Sequence, residues 1–146
     1  MAFVLQSQYE TVPFEVLFDP SKPQVPPSKA ALAEHEDPKG KTKLESIVFH
    51  LRCWDGNDGR AIANSLMAGG KDDEAQLRSG DVMMVKVVRG VASVDGLQSA
   101  DGTRVPKLTE THYGQLPRWI TQRVLARLNE INQSGVADDL GALEGN

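Results

Sequence analysis

Residues 46–53 read Ser46-Ile47-Val48-Phe49-His50-Leu51-Arg52-Cys53, and this stretch decides the fold class. Ile47, Phe49, Leu51 and Cys53 fall on one face of an extended chain, and Ser46, Val48, His50 and Arg52 fall on the other. That period of two is the pattern of a half-buried strand. Upstream, Val12, Phe14, Val16 and Phe18 alternate with Pro13, Glu15 and Leu17. Pro13 lacks an N–H, which suits a strand at a sheet edge with proline near its start. The two strands are expected to pair antiparallel.

Between them lies the strongest shift in composition. Five of the eight prolines (Pro20, Pro23, Pro26, Pro27 and Pro38) fall between Asp19 and Lys43, together with Lys22, Lys29, Lys39, Lys41 and Lys43. Proline removes backbone donors and fixes φ, so this stretch cannot sit inside a sheet. It reads as an extended, solvent-exposed arm, with a helical turn over Ser28–Glu34. A mobile loop without a partner and a docking arm fit it equally.

Downstream of Cys53 the character becomes helical. Asp55-Gly56-Asn57-Asp58-Gly59 is a turn rich in capping residues. It leads into a helix over Arg60–Ala68, with Ile62 and Leu66 at i, i+4 and Gly69-Gly70 as the stop. Asp72–Leu77 suggests a second short helix. Val82-Met83-Met84-Val85-Lys86-Val87-Val88 permits either a buried strand or a helix capped by Gly90, and the flanking helical segments favour the helix. Val91–Val94, Asp95-Gly96, Asp101-Gly102 and Val105-Pro106 read as a turn-rich connector. The clearest helix follows Pro117, a residue suited to a first helical turn. In it Ile120, Val124, Leu128 and Ile131 form an apolar stripe that Trp119 and Leu125 widen. Gly135 is expected to end it.

The resulting expectation is a single α+β domain. A small antiparallel N-terminal β part (1–53) carries a Pro/Lys-rich arm at about 19–43, a mainly helical part follows (54–134), and 135–146 form a flexible tail. A chain of 146 residues is within the usual size of one domain, and it can bury a core without staples. One cysteine excludes a disulfide framework or a multi-Cys zinc site. Sixteen Lys+Arg against 20 Asp+Glu, a net charge of −4, disfavours a dedicated nucleic-acid binder. No apolar run reaches the roughly 18–20 residues that span a bilayer, and Met1-Ala2-Phe3-Val4-Leu5 carries no basic leader.

Catalytic patterns fail on inspection. A calcium loop starting at Asp55 needs Gly at its sixth position and Glu at its twelfth, where Arg60 and Leu66 stand. Asp72-Asp73-Glu74 suits a helix start better than a metal site. Gly69-Gly70-Lys71 lacks the leading glycine and the Ser/Thr of a phosphate loop. His35, His50 and His112 lie far apart. Cys53, a nucleophile only if paired with His112 and an acid, is expected to be an inert buried thiol. The expectation is no enzyme, no cofactor and no metal.

What remains is interaction surface. Arg118, Arg123 and Arg127 with Trp119 suit an acidic partner, since Arg and Trp are favoured interface anchors. A solvated face with Trp119 in the core is the alternative. Met83 and Met84 are adaptable residues that serve either a binding surface or core filling.

The order of features resembles the tail assembly chaperones of long-tailed bacteriophages. The likeness runs from about Leu44 to Gln133. It is carried by Ile47-Val48-Phe49-His50-Leu51-Arg52, the capped helical region, Val87-Val88-Arg89-Gly90-Val91-Ala92-Ser93-Val94-Asp95-Gly96, an Asp-Gly step before Val105-Pro106, Leu108-Thr109-Glu110, and Leu116-Pro117-Arg118-Trp119-Ile120. The Pro/Lys-rich arm departs from the family pattern, as does Val91 where a tryptophan is often found nearby. The resemblance implies a non-enzymatic factor in the host cytoplasm that coats the long tape-measure protein until the tail tube polymerises around it. Met83, Met84, Trp119, Arg123 and Arg127 would be its contact residues. A homo-oligomer fits this role, and neither nucleic acid nor membrane is a partner. A structural subunit of the particle (tail tube, baseplate or neck) is the alternative, placing the chain in the virion.

Overall fold

The computed structural model describes residues 10–40, 43–67 and 72–144, with side chains over 10–40, 43–65 and 81–132. Three strands form one antiparallel sheet in the order β1-β2-β3: β1 is Val12–Phe18, β2 is Glu45–Leu51 and β3 is Val91–Asp95. Among the described residues the helices are α1 Lys29–Glu36, α2 Gly56–Met67, α3 Asp72–Gly90, α4 Glu110–Gln115 and α5 Arg118–Glu144. The α+β class, with its antiparallel β part on the N-terminal side and helices after it, is as the sequence predicts.

The β1–β2 pairing runs from Val12 opposite Leu51 to Phe18 opposite Glu45. Pro13 lies on the edge strand, where a missing N–H leaves no sheet partner unsatisfied. Ile47, Phe49 and Leu51 are buried, as their alternation requires. The connection between β1 and β2 contains α1, whose N-cap Ser28 accepts a hydrogen bond from the Ala31 N–H at 3.1 Å.

β3 corrects the reading of Val91–Val94 as a connector. It pairs His50 with Ser93 but Leu51 with Val91, so Ala92 is the extra residue of a bulge. Without the bulge, two valines three positions apart would face opposite sides of the sheet. With it, Val91 and Val94 are both buried. The chain then folds back along the outer edge of β3, where the Val94 N–H donates to the Pro106 carbonyl at 2.8 Å. Asp95-Gly96 is a turn as expected, with Gly96 at φ +87° and its Cα hydrogens against the Ser46 carbonyl.

Residues 82–88 are helical and belong to α3, which also absorbs the short helix expected over Asp72–Leu77. Val82 and Val87 face inward. α3 ends at Gly90, where the sequence placed a helix cap, but Gly90 lacks the positive φ of Gly96 and Gly102. Its role is clearance: a Cβ there would lie 2.5 Å from a terminal methyl of the fully buried Leu128. Gly90→Ala should therefore destabilise the protein. Overpacking costs about 1–3 kcal/mol, and better helix propensity returns at most ~1 kcal/mol. A lowered urea midpoint with an unchanged denaturant slope is the expected reading.

α2 begins at Gly56, so the Asp55–Gly59 segment is the helix's own first turn rather than a lead-in to Arg60. The Gly69-Gly70 stop lies outside the described residues, as do the side-chain contacts of Leu66. α5 buries Ile120, Val124 and Leu128 against the sheet, with Trp119, Leu125 and Ile131 packed beside them. Pro117 precedes this helix, and its carbonyl accepts the Ile120 N–H at 3.0 Å. The helix runs on to Glu144, so Gly135 does not end it. One interior glycine costs only about 1 kcal/mol relative to alanine, too little to terminate a helix by itself.

Candidate partner-binding surface

The arm between β1 and β2 returns to the body of the protein at the start of α5. Asp19 begins it by accepting hydrogen bonds from the Ser21 N–H at 2.9 Å and the Ser21 hydroxyl at 2.7 Å. These contacts hold the exposed Asp19 carboxyl below its usual range, the Ser21 hydroxyl being the main cause. Two residues later, the Pro23 carbonyl accepts the Trp119 indole N–H at 2.9 Å, a bond that closes 96 residues of chain. Arg123 stacks its guanidinium 4.8 Å from the centre of the Trp119 ring. At the far end of the arm, the Leu44 N–H donates to His35 Nδ1 at 3.2 Å. Beneath the arm lies an open groove of about 850 Å³, with Phe18, Leu44, Ile47, Leu97, Leu116 and Ile120 among the residues lining it. Gln24, Ser46, Gln98 and Gln115 supply neutral polar groups to the same groove, and Glu45 a carboxylate.

The residues singled out from sequence divide into two groups. Trp119, Arg123 and Arg127 follow one row of α5, at i, i+4 and i+8. Trp119 is half-buried: it packs on the core and also holds the arm. Arg123 is exposed above it. Arg127 is paired with Glu130 at 2.9 Å, so its charge is already matched by a neighbour on the same helix. Met83 (41% exposed) and the half-buried Met84 sit on α3. Among the described residues, no hydrogen bond or ring contact joins Met83 or Met84 to the Trp119 group.

The arm's attachment gives a direct prediction. Trp119→Phe keeps an aromatic ring on the core but removes the bond to Pro23, a contact worth about 1 kcal/mol. Cleavage of the arm by trypsin after Lys29 should then be about fivefold faster, provided that opening is fast relative to cleavage. An unchanged rate would mean that the bond does not hold the arm.

Sequence reasoning missed a second constellation, centred on Asp58. This carboxylate is 1% exposed. Arg52 donates to it from both terminal nitrogens, at 2.8 and 3.0 Å, and Arg89 donates at 3.1 Å. Asp55 and Asp58 also form a reciprocal capping pair at the start of α2, each accepting the other's backbone N–H at 2.9 Å. Trp54 continues the junction: its backbone N–H bonds the Asn132 side chain and its indole N–H bonds the Lys86 carbonyl, both at 3.0 Å. The end of β2 is thereby tied to α2, α3 and α5. A sequence clue existed in the acid at both Asp55 and Asp58, a spacing that fits a capping box.

Cys53 corrects another expectation. It lies beyond the last residue of β2 and is exposed rather than buried. The register shift at His50/Leu51 ends the strand, and the Arg52 N–H turns to the Gly90 carbonyl, so the alternation that placed Cys53 inward no longer applies. His112 is engaged elsewhere: its ring nitrogen and backbone form the capping box of α4 with Thr109. His50 bonds Asp95 at 2.8 Å, and Arg104 reaches the same carboxylate at 2.9 Å. Asp95 is held below the usual carboxylate range, first by the His50 hydrogen bond. Among the described residues no three His, Cys, Asp or Glu side chains are grouped to hold a metal ion. None of the described helices is long and apolar enough to cross a membrane. No protein-family model matches this chain, and neither a curated protein nor a solved structure does.

Proposed function

We propose that this protein is a non-catalytic assembly chaperone of a long-tailed phage, which binds the tape-measure protein in the host cytoplasm and leaves before the tail is complete. The observation that carries this reading is the open groove beneath the arm. Phe18, Leu97 and Leu116 give it apolar surface, while Gln24, Gln98, Gln115 and the acid Glu45 line it as well, a mixture that suits a polypeptide segment with both apolar and polar groups. The exposed Met83 offers a second adaptable contact. A net charge of −4 supports solubility while a client is bound. The choice of client rests on the resemblance of the sequence to the phage tail chaperones.

The test is co-expression with the tape-measure protein encoded in the same genome. The client should move from the insoluble to the soluble fraction with this chain. Leu116→Glu, which replaces apolar lining by a second carboxylate beside that of Glu45, should reverse much of that gain. A client equally insoluble with and without the chain would refute the reading.

A further inference from the structure

The arm between β1 and β2 leaves and rejoins the sheet at one place, because Phe18 and Glu45 are register partners at the end of the β1–β2 pair. From there it crosses to α5, where the Pro23 carbonyl accepts the Trp119 indole N–H at 2.9 Å. Phe18 and Leu44 line the groove on the sheet side and Pro117 and Ile120 on the α5 side, while the arm itself contributes Pro23 and Gln24. The arm thus reaches from one wall of the groove to the other. It is attached by covalent bonds at the first wall and by a hydrogen bond at the second.

Its construction suits movement as a unit. No residue from Asp19 to Gly40 is buried, so lifting the arm uncovers little apolar surface. Backbone bonds internal to the arm give it shape. The Lys22 N–H donates to the Asp19 carbonyl at 3.0 Å, the Asp37 N–H to the Ala33 carbonyl at 3.2 Å, and the Gly40 N–H to the Asp37 carbonyl at 2.9 Å. Lifting breaks none of these. Pro20, Pro23, Pro26 and Pro27 stiffen the chain ahead of α1. His35 Nδ1 accepts the Leu44 N–H at 3.2 Å beside the point where the arm rejoins the sheet. The catch on α5 stays in place with the arm up or down, since the Trp119 ring packs on the core and under Arg123.

We propose that the arm is a strap, hinged on the sheet and latched at Trp119, which lifts to let an interior stretch of the client chain enter the groove sideways and then closes across it. This rests on the reading of the groove as the client's site. With both ends of the strap at one wall, the opposite wall opens, and a long client need not be threaded by its end. Entry and escape both wait for the latch, so both rates follow the fraction of molecules with the strap lifted. A fixed wall would act differently: its loss would speed escape and leave entry as it was.

The test immobilises the full chain on a biosensor that reads association and dissociation separately. Short overlapping peptides from the tape-measure protein of the same genome serve as probes, each fused between two folded carrier domains so that no free end can thread the groove. The tightest binder is then measured on two variants. Trp119→Phe removes the latch and should raise both rates about fivefold, the weight of one hydrogen bond. Replacing residues 20–40 by a short Gly/Ser loop removes the strap and should raise both further. Thermal melts identify folded variants, and because the two act at different places, one unstable variant leaves the other to decide. An entry rate that fails to rise in the folded variants, whether or not release is faster, would overturn the strap and leave the chaperone reading standing. If no peptide bound, the chaperone reading would fall and the strap with it.

Discussion

Replacing Asp58 with alanine will destabilise the protein by about 3–5 kcal/mol, the usual loss when one partner of a buried ion cluster is removed. The substitution leaves Arg52, at 18% exposure, facing a cavity where its two hydrogen bonds to Asp58 stood. It also removes the acceptor for the Asp55 N–H at the start of α2, a capping loss of about 1 kcal/mol included in that range. Arg89 is more exposed and can regain water, which moves the expectation towards the lower end. For a chain of about 150 residues this corresponds to a fall in Tm of roughly 8–15 °C. Asp58→Asn should fall between the wild type and Asp58→Ala, because the amide retains an acceptor for the cap but loses the charge. A double replacement, Asp58→Leu with Arg52→Met, should recover part of the loss, since an apolar pair can substitute for a buried ion pair. Thermal melts of the three variants decide the matter. A drop of under about 1 kcal/mol for Asp58→Ala would mean that the cluster is a surface ornament.

Phe49→Ala is expected to cost a similar amount, about 3–5 kcal/mol, for a different reason. Phe49 is 0% exposed on the central strand, between Phe14 of β1 and Val94 of β3. It belongs to the same cluster as Val87, Val124 and Leu128. Truncation leaves a cavity enclosed on both faces by sheet and helix, with little room to collapse. Phe14 and Phe18, on the edge strand and only half-buried, supply the control. Their alanine variants should cost roughly half as much, because water replaces part of the lost contact. Urea titrations of the three variants would show the ranking, and equal losses at all three positions would contradict it.

The contrast between these two sites explains how much was legible in the sequence. Phe49 was readable because strand alternation is local: Ile47, Phe49 and Leu51 declare their face within five residues. The stripe Ile120, Val124, Leu128 did the same for α5. β3 was not readable, because the bulge at Ala92 brings two valines to one face at a spacing that neither a strand nor a connector pattern distinguishes. Asp58 was hidden for a related reason. Its partners lie 6 and 31 residues away on other elements, so the sequence showed a capping turn and gave no sign of the two arginines. Cys53 failed because the strand ended two residues earlier than its alternation suggested.

The candidate site was legible only in part. Trp119 and Arg123 stand at i, i+4 on α5, a spacing visible in the sequence, and the structure stacks them. Nothing local showed that Trp119 would hold Pro23, since that contact joins residues 96 positions apart. The groove is likewise assembled from the ends of β1, β2 and β3 and the α4–α5 junction. No single stretch of sequence contains it.

The proposal that a long-tailed phage encodes this chain as a chaperone is tested most directly by mass spectrometry of that phage's purified particles, compared with the lysate that produced them. The account predicts abundant peptides from the chain in the lysate and none at stoichiometric level in the particles. Stoichiometric peptides in the particles would contradict it and make the protein a structural subunit of the virion.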